Sequence, residues 1–400
     1  MRKIRLAYLV SHPIQYQAPL LRRISQESDI DLTVLFCSDL SVEEYRDTEF
    51  GTSFKWDVPL LEGYKYEFLP SLGNAQQLSF WKPFNFGITR ALRKGKFDVL
   101  WIHGWGYWSH IMAVFAAKLL GIRVLIRGES TLNTRSYGML RQTAKNLFVR
   151  NIVALTDAFL AIGTWNREFY LHYGAKPSAV CMVPYAVDNA FFQMECKAAT
   201  PDRERLRHAL GLEQQRPIIL YASKMTERKR AGDLLEAYIR LSPDSLKEPE
   251  PYLLFIGDGE MRSVLERRAA ELGRGSIRFL GFKNQTELPA YYDLCDVFVL
   301  PSFHEPWGLA INEVMNAAKP VIVSDQVGCA PDLVRHKENG YIFRAGDIDD
   351  LCTALQFVLG DKERSYMMGQ KSLEIINGWG FEEDIAGLRK ALKMLFGDCQ

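Results

Sequence analysis

The amino-acid sequence predicts an α/β protein with two Rossmann-like, doubly wound domains. Short apolar segments that suit buried strands alternate with helical patterns, and this alternation indicates βαβ units and parallel sheets. The alternation breaks around residues 184–211 and then begins again, which indicates a second cycle of the same kind. A chain of 400 residues also exceeds one core of typical size and suits two domains of about 150–200 residues each.

The first cycle occupies residues 1–190, which we predict to be the N-terminal domain. Its expected strands are Ile4–Val10, Leu32–Phe36, Phe97–Ile102, Arg123–Arg127, Phe159–Ile162 and Val180–Val183. Its expected helices are Ala18–Ser25 and Ser109–Leu120. The stretch from Ser38 to Phe86 is less regular and rich in aromatic residues, so we expect a hairpin or an insertion there.

A linker is predicted at residues 191–216, where polar and charged residues interrupt the pattern, and the C-terminal domain then spans 217–375. The expected strands of this domain are Ile218–Ala222, Tyr252–Gly257, Ile277–Leu280, Val297–Leu300 and Pro320–Val323. Its expected helices are Ala231–Leu241, Arg262–Leu272, Gly308–Ala318 and Ile348–Leu359. The last segment, 376–400, predicts one long amphipathic helix.

The composition argues against several classes of protein. Hydrophobic residues make up 48% of the chain, and a formal net charge of +1 gives no strong field that would attract nucleic acid. The seven cysteines contain no Cys-x-x-Cys pair, so we expect no disulfide framework or zinc site, and a reducing, cytoplasmic location fits. No apolar run reaches 18 residues, and the first apolar segment is too short for a signal peptide, so no membrane span is expected.

Polar or glycine-rich residues follow most of the predicted strands. In an open parallel sheet, ligands bind outside the carboxyl ends of the strands, so these residues locate a site without naming a reaction. They are Ser11–His12, His103–Gly104, Arg127–Glu129, Ser223–Lys224, Gly257–Gly259, Gly281–Phe282, Pro301–Ser302 and Ser324–Asp325.

The most specific segment is PSFHEPWGLAINE at residues 301–313, where two glutamates stand eight positions apart and Gly308 opens a helix between them. The amino end of a helix offers N–H groups and partial positive charge, which suit a diphosphate. Glu313 is then placed to accept hydrogen bonds from a ribose, and Glu305 to face a sugar. The alternative is that Glu305 lies on a loop surface and Glu313 on a solvated helix face.

This segment, with KPVIVS at 319–324 and NGYIF at 339–343, resembles the large retaining glycosyltransferase family often called family 4. The resemblance is strong over residues 217–360 and weaker, but in register, through the N-terminal half. It implies the GT-B fold, with two domains facing a central cleft and a C-terminal domain that binds a nucleotide sugar. It also implies that the terminal helix packs back on the N-terminal domain.

The resemblance implies roles for the residues of the C-terminal half. Glu313 would contact the ribose, and Glu305 would lie at the donor sugar or its leaving phosphate. The donor diphosphate would be bound by two side chains and three backbone N–H groups, those of Lys224, Lys229, Gly308, Leu309 and Ala310. The base pocket would be bordered by Gly257, Gly259, Gly281 and Phe282.

Lys224 stands where the family usually has arginine, within ASKMTERK at residues 222–229, and Lys229 stands in the family's lysine position. Both residues are cations, although lysine is a point charge and lacks the bidentate grip of arginine. A solvated basic loop after a strand is the alternative interpretation of this stretch.

In the N-terminal half, DVLWIH at residues 98–103 resembles a strand end of the family, which implies that His103 contacts the sugar or the acceptor. A structural role is the alternative for this histidine. The first loop, HPIQYQ at residues 12–17, lacks the family's glycine pair. We assign five residues to the acceptor side: His12, Gln15, Tyr16, Trp105 and Arg127. Where the family often has a histidine, this chain has Arg127 and Glu129, for which donor or acceptor contacts and a structural role are both open. The candidate catalytic residues are Glu305, His103 and Glu129.

An aromatic cluster has three open interpretations: an acceptor groove, a lipid-facing patch beside Lys82 and Arg90, or ordinary packing. Its members are Phe80, Trp81, Phe84, Phe86, Trp105, Tyr107 and Trp108. Two Asp-x-Asp runs, at residues 29–31 and 347–349, precede a strand and cap a helix, so we expect no metal and no other cofactor.

These expectations combine into a retaining glycosyltransferase that moves a sugar from a nucleotide-sugar donor to a glycan or lipid-linked acceptor in envelope or exopolysaccharide synthesis. We expect a cytoplasmic protein with peripheral contact at the inner membrane face and no nucleic-acid partner. A sugar-nucleotide epimerase of similar fold and a catalytically silent module that binds a glycan or nucleotide are the alternatives. Release of nucleoside diphosphate in the presence of an acceptor separates the transferase from the silent module.

Overall fold

The computed structural model of the chain describes residues 2–47, 50–72, 78–133, 138–241, 249–273 and 275–397. The chain divides into two compact units. The first unit combines Met1–Tyr45, Val58–Val187 and Gly380–Gln400. The second unit combines Arg46–Asp57 and Asp188–Trp379.

The N-terminal half contains the parallel sheet of the first unit. Its strands are β1 (Ile4–Val10), β2 (Ile30–Phe36), β3 (Tyr45–Arg46), β4 (Ser53–Phe54), β5 (Lys65–Phe68), β6 (Ser71–Leu72), β7 (Phe84–Asn85), β8 (Val99–His103), β9 (Arg123–Arg127), β10 (Ala158–Ala161) and β11 (Val180–Met182). Seven of them form one sheet in the order β11-β10-β9-β8-β1-β2-β5, and its described pairings are parallel. The strand order reverses between β1 and β8, so the ligand crevice typical of such sheets lies at the carboxyl ends of these two strands.

The irregular stretch between Ser38 and Phe86 contains the short strands of this half. β6 and β7 pair antiparallel, and β3 and β4 form a separate two-stranded sheet. The prediction of a hairpin or insertion in this stretch is therefore confirmed.

Helices cover both faces of the first sheet. They are α1 (Ala18–Ser25), α2 (Ile88–Gly95), α3 (Trp108–Leu119), α4 (Met139–Leu155) and α5 (Thr164–His172). Because side chains alternate along a strand, Leu6 and Tyr8 pack on one face with α1, whereas Ala7 and Leu9 pack on the other with α2 and α3. Burial of both faces explains why β1 is continuously apolar from Leu6 to Val10.

The second unit repeats the architecture. Its strands are β12 (Ile218–Ala222), β13 (Tyr252–Ile256), β14 (Ile277–Phe279), β15 (Val297–Leu300), β16 (Val321–Ser324) and β17 (Gly340–Phe343). They form one parallel sheet in the order β14-β13-β12-β15-β16-β17, which reverses between β12 and β15. The predicted class of two Rossmann-like, doubly wound domains is confirmed.

The helices of the second unit begin before its sheet. They are α6 (Asn189–Ala199), α7 (Arg203–Ala209), α8 (Ala231–Arg240), α9 (Arg262–Glu271), α10 (Leu288–Leu294), α11 (Leu309–Met315), α12 (Ala330–Leu333), α13 (Ile348–Leu359) and α14 (Lys362–Asn377). The segment predicted as a linker, 191–216, thus lies largely in α6 and α7, and Asp188 caps α6 by accepting from the Phe191 N–H at 3.0 Å. Aromatic packing of Phe192 near Tyr292, at 6.4 Å between ring centroids, holds α6 in this unit.

The last helix, α15 (Phe381–Phe396), belongs to the first unit. Its Ile385 and Leu388 are buried in the same cluster as β1 and α1. Gly387 approaches the strand β11 so closely that a Cβ there would lie 1.9 Å from the Met182 carbonyl oxygen. Only a residue without a side chain allows this packing.

Candidate functional site

In the second unit, the loops after β12 and β15 lie at the reversal of strand order. Lys224 lies two residues beyond β12, and its Nζ donates to both carboxylate oxygens of Asp47, at 3.1 and 3.2 Å. The same ammonium lies 4.9 Å from the centroid of the Phe50 ring. Lys224 therefore binds the Asp47 carboxylate in this structure, and the same ammonium could bind a phosphate oxygen in its place.

Lys229 and Glu305, both predicted donor-site residues, contact each other. The Lys229 ammonium donates to Glu305 Oε2, and the two side chains are 12% and 10% exposed. The loop of Glu305 is braced by its own backbone, since Glu305 N donates to Gln326 O at 3.2 Å and Gly328 N donates to Glu305 O at 2.8 Å. A fixed cation beside a fixed carboxylate suits a site that binds an anion next to hydroxyl groups.

Close backbone packing shapes the segment from Glu305 to Gly308. A Cβ at Gly328 would lie 1.9 Å from the Pro306 carbonyl oxygen, so only glycine fits there. Gly308 has a φ of 99°, and α11 begins at the next residue. The predicted N–H groups of Gly308, Leu309 and Ala310 thus lie at the amino end of this seven-residue helix.

Glu313 lies on α11 and accepts a hydrogen bond from the Tyr292 hydroxyl at 2.6 Å. Burial raises the pKa of Glu313 to about 7, while the bond from Tyr292 lowers it. The carboxyl is thus shielded from solvent, which disfavours the alternative of a solvated helix face.

The glycines of the predicted base pocket support the loop that carries Lys224. Gly257 has a φ of 122°, and a Cβ there would lie 2.1 Å from the Ser223 carbonyl oxygen. At Gly259 a Cβ would lie 2.7 Å from the Met225 carbonyl oxygen. Gly281 has a φ of 70°, and its carbonyl oxygen accepts from Gly257 N at 2.9 Å. Phe282 is the next residue. Phe282 stacks on Phe54, with ring centroids 4.3 Å apart.

In the first unit, a hydrogen-bonded cluster surrounds His103 at the carboxyl end of β8. Gln17 Nε2 lies 2.9 Å and the Tyr185 hydroxyl 3.0 Å from His103 Nε2. The Tyr185 hydroxyl donates to Glu129 Oε1 at 2.8 Å, and the Tyr8 hydroxyl donates to Gln17 Oε1 at 2.8 Å. Burial lowers the pKa of His103 well below its usual range, with the Arg127 charge as a secondary cause, so the imidazole is neutral at pH 7.

Three residues of this cluster had no predicted role, and one of them, Tyr8, lies within the strand β1. Tyr185 follows β11 closely, so the rule about carboxyl ends of strands points to it, but nothing in the sequence marks it as different from a core tyrosine. Gln17 lies in the first loop beside three assigned residues, and only the folded chain shows that its side chain reaches His103.

Arg127, predicted on the acceptor side, is part of the fold. Its side chain is 2% exposed and pairs with Asp384 of α15 at 3.0 Å, while it also donates to the Val183 and Pro184 carbonyl oxygens. Its guanidinium lies 4.7 Å from the Tyr185 ring centroid. These contacts favour the structural alternative for Arg127, whereas Glu129, two residues on, is exposed and bonded to Tyr185.

The other residues assigned to the acceptor side differ in surroundings. His12 Nδ1 lies 2.9 Å from Ser11 Oγ, and burial lowers the pKa of His12 to about 4. Tyr16 makes an edge contact with Tyr185 at 5.7 Å between centroids. Gln15 is half-buried in the same loop. Trp105 stacks on Phe169 at 5.9 Å, which places it against the packing of the first unit.

Much of the aromatic cluster is exposed. Trp81 and Phe86 are 62% and 60% exposed, and Trp81 lies 5.1 Å from Trp108 between ring centroids. Across the described ranges, no helix is both long and apolar enough to span a bilayer.

Two family models match the chain, one in each half of the sequence. The model described as Glycosyl transferases group 1 matches residues 202–374. The model described as Glycosyl transferase 4-like domain matches residues 33–186.

Three related proteins are named as glycosyltransferases. An uncharacterized glycosyltransferase of Methanocaldococcus jannaschii is 29% identical over 74% of this chain and 70% of its own. A GDP-mannose-dependent alpha-(1-6)-phosphatidylinositol monomannoside mannosyltransferase of Mycobacterium tuberculosis is 25% identical over 69% of this chain and 72% of its own. A UDP-Gal:alpha-D-GlcNAc-diphosphoundecaprenol alpha-1,3-galactosyltransferase of Escherichia coli is 25% identical over 73% and 74%.

Solved structures match nearly the whole chain. Anabaena HepE in complex with UDP and glucose has a TM-score of 0.72 at 16% identity, over 98% of this chain and 100% of that one. Sucrose-phosphate synthase from Thermosynechococcus elongatus has a TM-score of 0.72 at 18% identity, over 98% and 99%. At these identities the likeness shows the fold, and the predicted GT-B fold is confirmed.

Proposed function

Because the chain belongs to the group 1 glycosyltransferases, we propose that it transfers a sugar, with retention, from a nucleotide-sugar donor to a glycan or lipid-linked acceptor. The observation that carries this proposal is the charged set at the strand-order reversal of the second sheet. Its members are Lys224, Lys229, Glu305 and Glu313. Cations for a diphosphate stand there beside carboxylates for hydroxyl groups, on loops braced by glycines that tolerate no side chain.

The donor is proposed to bind the second unit. Lys224 and Lys229 neutralise the diphosphate, and Glu313 accepts hydrogen bonds from the ribose. The backbone around Gly257 and Gly281 borders the base. Support comes from relatives, since those in M. tuberculosis and E. coli are described with GDP-mannose and UDP-galactose as donors and HepE has been solved with UDP.

In the proposed reaction, the bond between the anomeric carbon and the diphosphate oxygen breaks, and an acceptor hydroxyl forms a new bond on the same face of the sugar. The hydroxyl proton passes to the departing phosphate oxygen. Lys224 and Lys229 stabilise the negative charge that develops on the leaving diphosphate, which is the largest protein contribution in such a step. Since these cations supply the charge, we propose that the enzyme needs no metal, and activity retained in EDTA is the expected result.

The acceptor is proposed to meet the cluster of His103, Glu129 and Tyr185 in the first unit. A neutral imidazole, a phenol and a carboxylate offer hydrogen bonds that suit sugar hydroxyls. The exposed Trp81 and Phe86, with Lys82 and Arg90 near them in sequence, suit peripheral contact with an anionic membrane face. The lipid acceptors named for the M. tuberculosis and E. coli relatives support a lipid-linked acceptor. We propose that the reaction belongs to envelope synthesis at the cytoplasmic membrane face.

Thermal melts with UDP-, GDP-, dTDP- and ADP-sugars test the donor proposal. A ligand at a hundred times its dissociation constant stabilises the folded protein by about 2.7 kcal/mol, which shifts the melting temperature measurably. The donor that shifts it is then incubated with glycan and lipid-linked acceptors, and release of nucleoside diphosphate is followed. Binding without any release indicates the silent module, conversion of the sugar without acceptor indicates an epimerase, and no shift with any donor contradicts the proposal.

A further inference from the structure

A short segment from the N-terminal half of the sequence is grouped with the second unit. This segment, Arg46–Asp57, is called the strap below. Its described residues form a tight turn, because Asp47 N donates to Thr52 O at 3.1 Å and Gly51 N donates to Asp47 O at 2.8 Å. The strap therefore presents the Asp47 side chain from a defined backbone position.

One end of the strap contacts the Lys224 ammonium. The Asp47 carboxylate lies 3.1 Å from the Lys224 ammonium, and the two side chains are 18% and 24% exposed. The Phe50 ring lies 4.9 Å from the same ammonium and covers it. A phosphate oxygen that binds Lys224 needs the position that Asp47 holds.

The centre of the strap packs on the Phe282 ring. Phe54 stacks on the Phe282 ring at 4.3 Å between centroids, and Phe50 contacts its edge at 5.1 Å. Phe54 is buried, so this stack is a packed contact and not a loose one. A flat aromatic base that stacks on this face of Phe282 needs the space that Phe54 fills.

The far end of the strap is held by polar contacts at the surface. Asn284 Nδ2 donates to the Lys55 carbonyl oxygen at 2.7 Å, and Thr286 N donates to the Asp57 carboxylate at 3.1 Å. Exposed hydrogen bonds of this kind exchange readily with water, so they hold the strap reversibly.

We propose that the strap is a built-in competitor of the donor: Asp47 stands in for a phosphate on Lys224, Phe54 stands in for the base on Phe282, and the donor binds by displacing both. This inference rests on the proposed function, since it takes Lys224 as a diphosphate ligand. A diphosphate carries more negative charge than one carboxylate and offers Lys224 several oxygens, so it displaces Asp47 when the donor is present. The strap keeps the cation and the aromatic face occupied until then.

Binding of UDP and of GDP, measured by calorimetry on the full-length chain, tests the competition. Asp47→Asn removes the ion pair and is expected to tighten binding of the preferred nucleotide by about fivefold, the upper range for a partly exposed pair. In the background of Lys224→Ala, which weakens binding by itself, Asp47→Asn is expected to change nothing. Glu44→Gln, which removes a nearby charge outside the strap, is the matched control and is expected to match the wild type.

Phe54→Leu separates competition from direct participation without a change in charge. If Phe54 competes with the base, this variant binds nucleotide more tightly; weaker binding makes Phe54 part of the base site and overturns the proposal. An equal effect of Asp47→Asn with and without Lys224, or no effect at all, overturns it as well. If none of UDP, GDP, dTDP and ADP binds the wild type or any variant while all are folded, the proposed function fails together with the strap.

Hydrogen exchange supplies a readout that does not depend on the variants. Saturating UDP or GDP is expected to speed amide exchange of Asp47 and Gly51 in the wild-type chain, because displacement exposes the turn to water. Slower exchange of these amides under saturating nucleotide means that the strap closes over the ligand, and this overturns the proposal.

Discussion

The two units have the same architecture, but their candidate sites are built from different chemistry. In the second unit the site consists of ions: Lys224 on Asp47, Lys229 on Glu305, and Glu313 under the Tyr292 hydroxyl. In the first unit a neutral imidazole, His103, is linked through Tyr185 to Glu129. The second unit thus offers cations that suit a diphosphate, whereas the first offers an imidazole, a phenol and one carboxylate that suit sugar hydroxyls.

The largest expected effect follows replacement of Arg127, a buried cation of the first unit. Arg127→Met is expected to lower the free energy of unfolding by about 3–5 kcal/mol, because it leaves Asp384 buried without its partner. Urea denaturation at pH 8 measures it. Arg123→Met, at the exposed start of the same strand, is the control and changes little. A stable Arg127→Met protein with weakened acceptor binding shows instead that the first unit, too, uses an ion for its ligand.

The second test removes a cation from the proposed donor site. Lys229→Ala is expected to lower turnover about a hundredfold, which corresponds to about 2.7 kcal/mol of lost transition-state stabilisation. Steady-state kinetics with the identified donor measures this, with Arg267→Ala as a control for an exposed cation on α9.

Lys229→Ala also leaves Glu305 without its ion-pair partner, so its thermal melt is compared with that of the Lys229→Met, Glu305→Gln double variant. A double variant that melts like the wild type but is as slow as the single one assigns the loss to catalysis. Unchanged turnover in both variants contradicts the role of Lys229 at the diphosphate.

The third test addresses the cluster of His103, Tyr185 and Glu129 in the first unit. Tyr185→Phe removes the hydroxyl that connects His103 to Glu129 and is expected to lower kcat/KM for the acceptor by roughly tenfold or more, as for loss of a hydrogen bond to a charged group. Nucleotide affinity, measured by calorimetry, is expected to stay the same. Tyr173→Phe, which loses a bond to Asn146 elsewhere in the first unit, is the matched control. An equal loss of nucleotide affinity in Tyr185→Phe contradicts the assignment of Tyr185 to the acceptor alone.

The smallest expected effect is a pH dependence of donor binding, which we assign to Glu313 of the second unit. Burial raises the pKa of Glu313 to about 7, so its carboxyl is ionised above pH 7 and protonated below. Affinity for the nucleotide sugar, which has no terminal phosphate to titrate, is therefore expected to fall about fivefold from pH 8 to pH 6, the equivalent of one hydrogen bond. Calorimetry at both values measures this change, and Glu313→Gln abolishes it. His103 stays neutral over the range, so a step that persists in Glu313→Gln contradicts the assignment to Glu313.

Much of the second unit's site could be predicted because its signals are local in the sequence. Charged residues directly after strands, together with glycines at backbone turns, are readable without knowing the fold. The ion pair between Lys229 and Glu305 was not predicted, because its partners stand 76 positions apart and no pattern links them. The same holds for Asp47, which was assigned no role and lies 177 positions from Lys224.

The fold class, the order of most strands along the chain and the charged residues that follow them could all be predicted from the sequence alone. Periodicity and burial of apolar segments are local consequences of composition, so they survive without tertiary information. Only the tertiary structure decided that Arg127 is a buried structural cation, that the predicted linker is helical and that the strap is packed on Lys224 and Phe282. Each of these depends on which distant segments meet, and a side chain's role follows from those neighbours and not from its type.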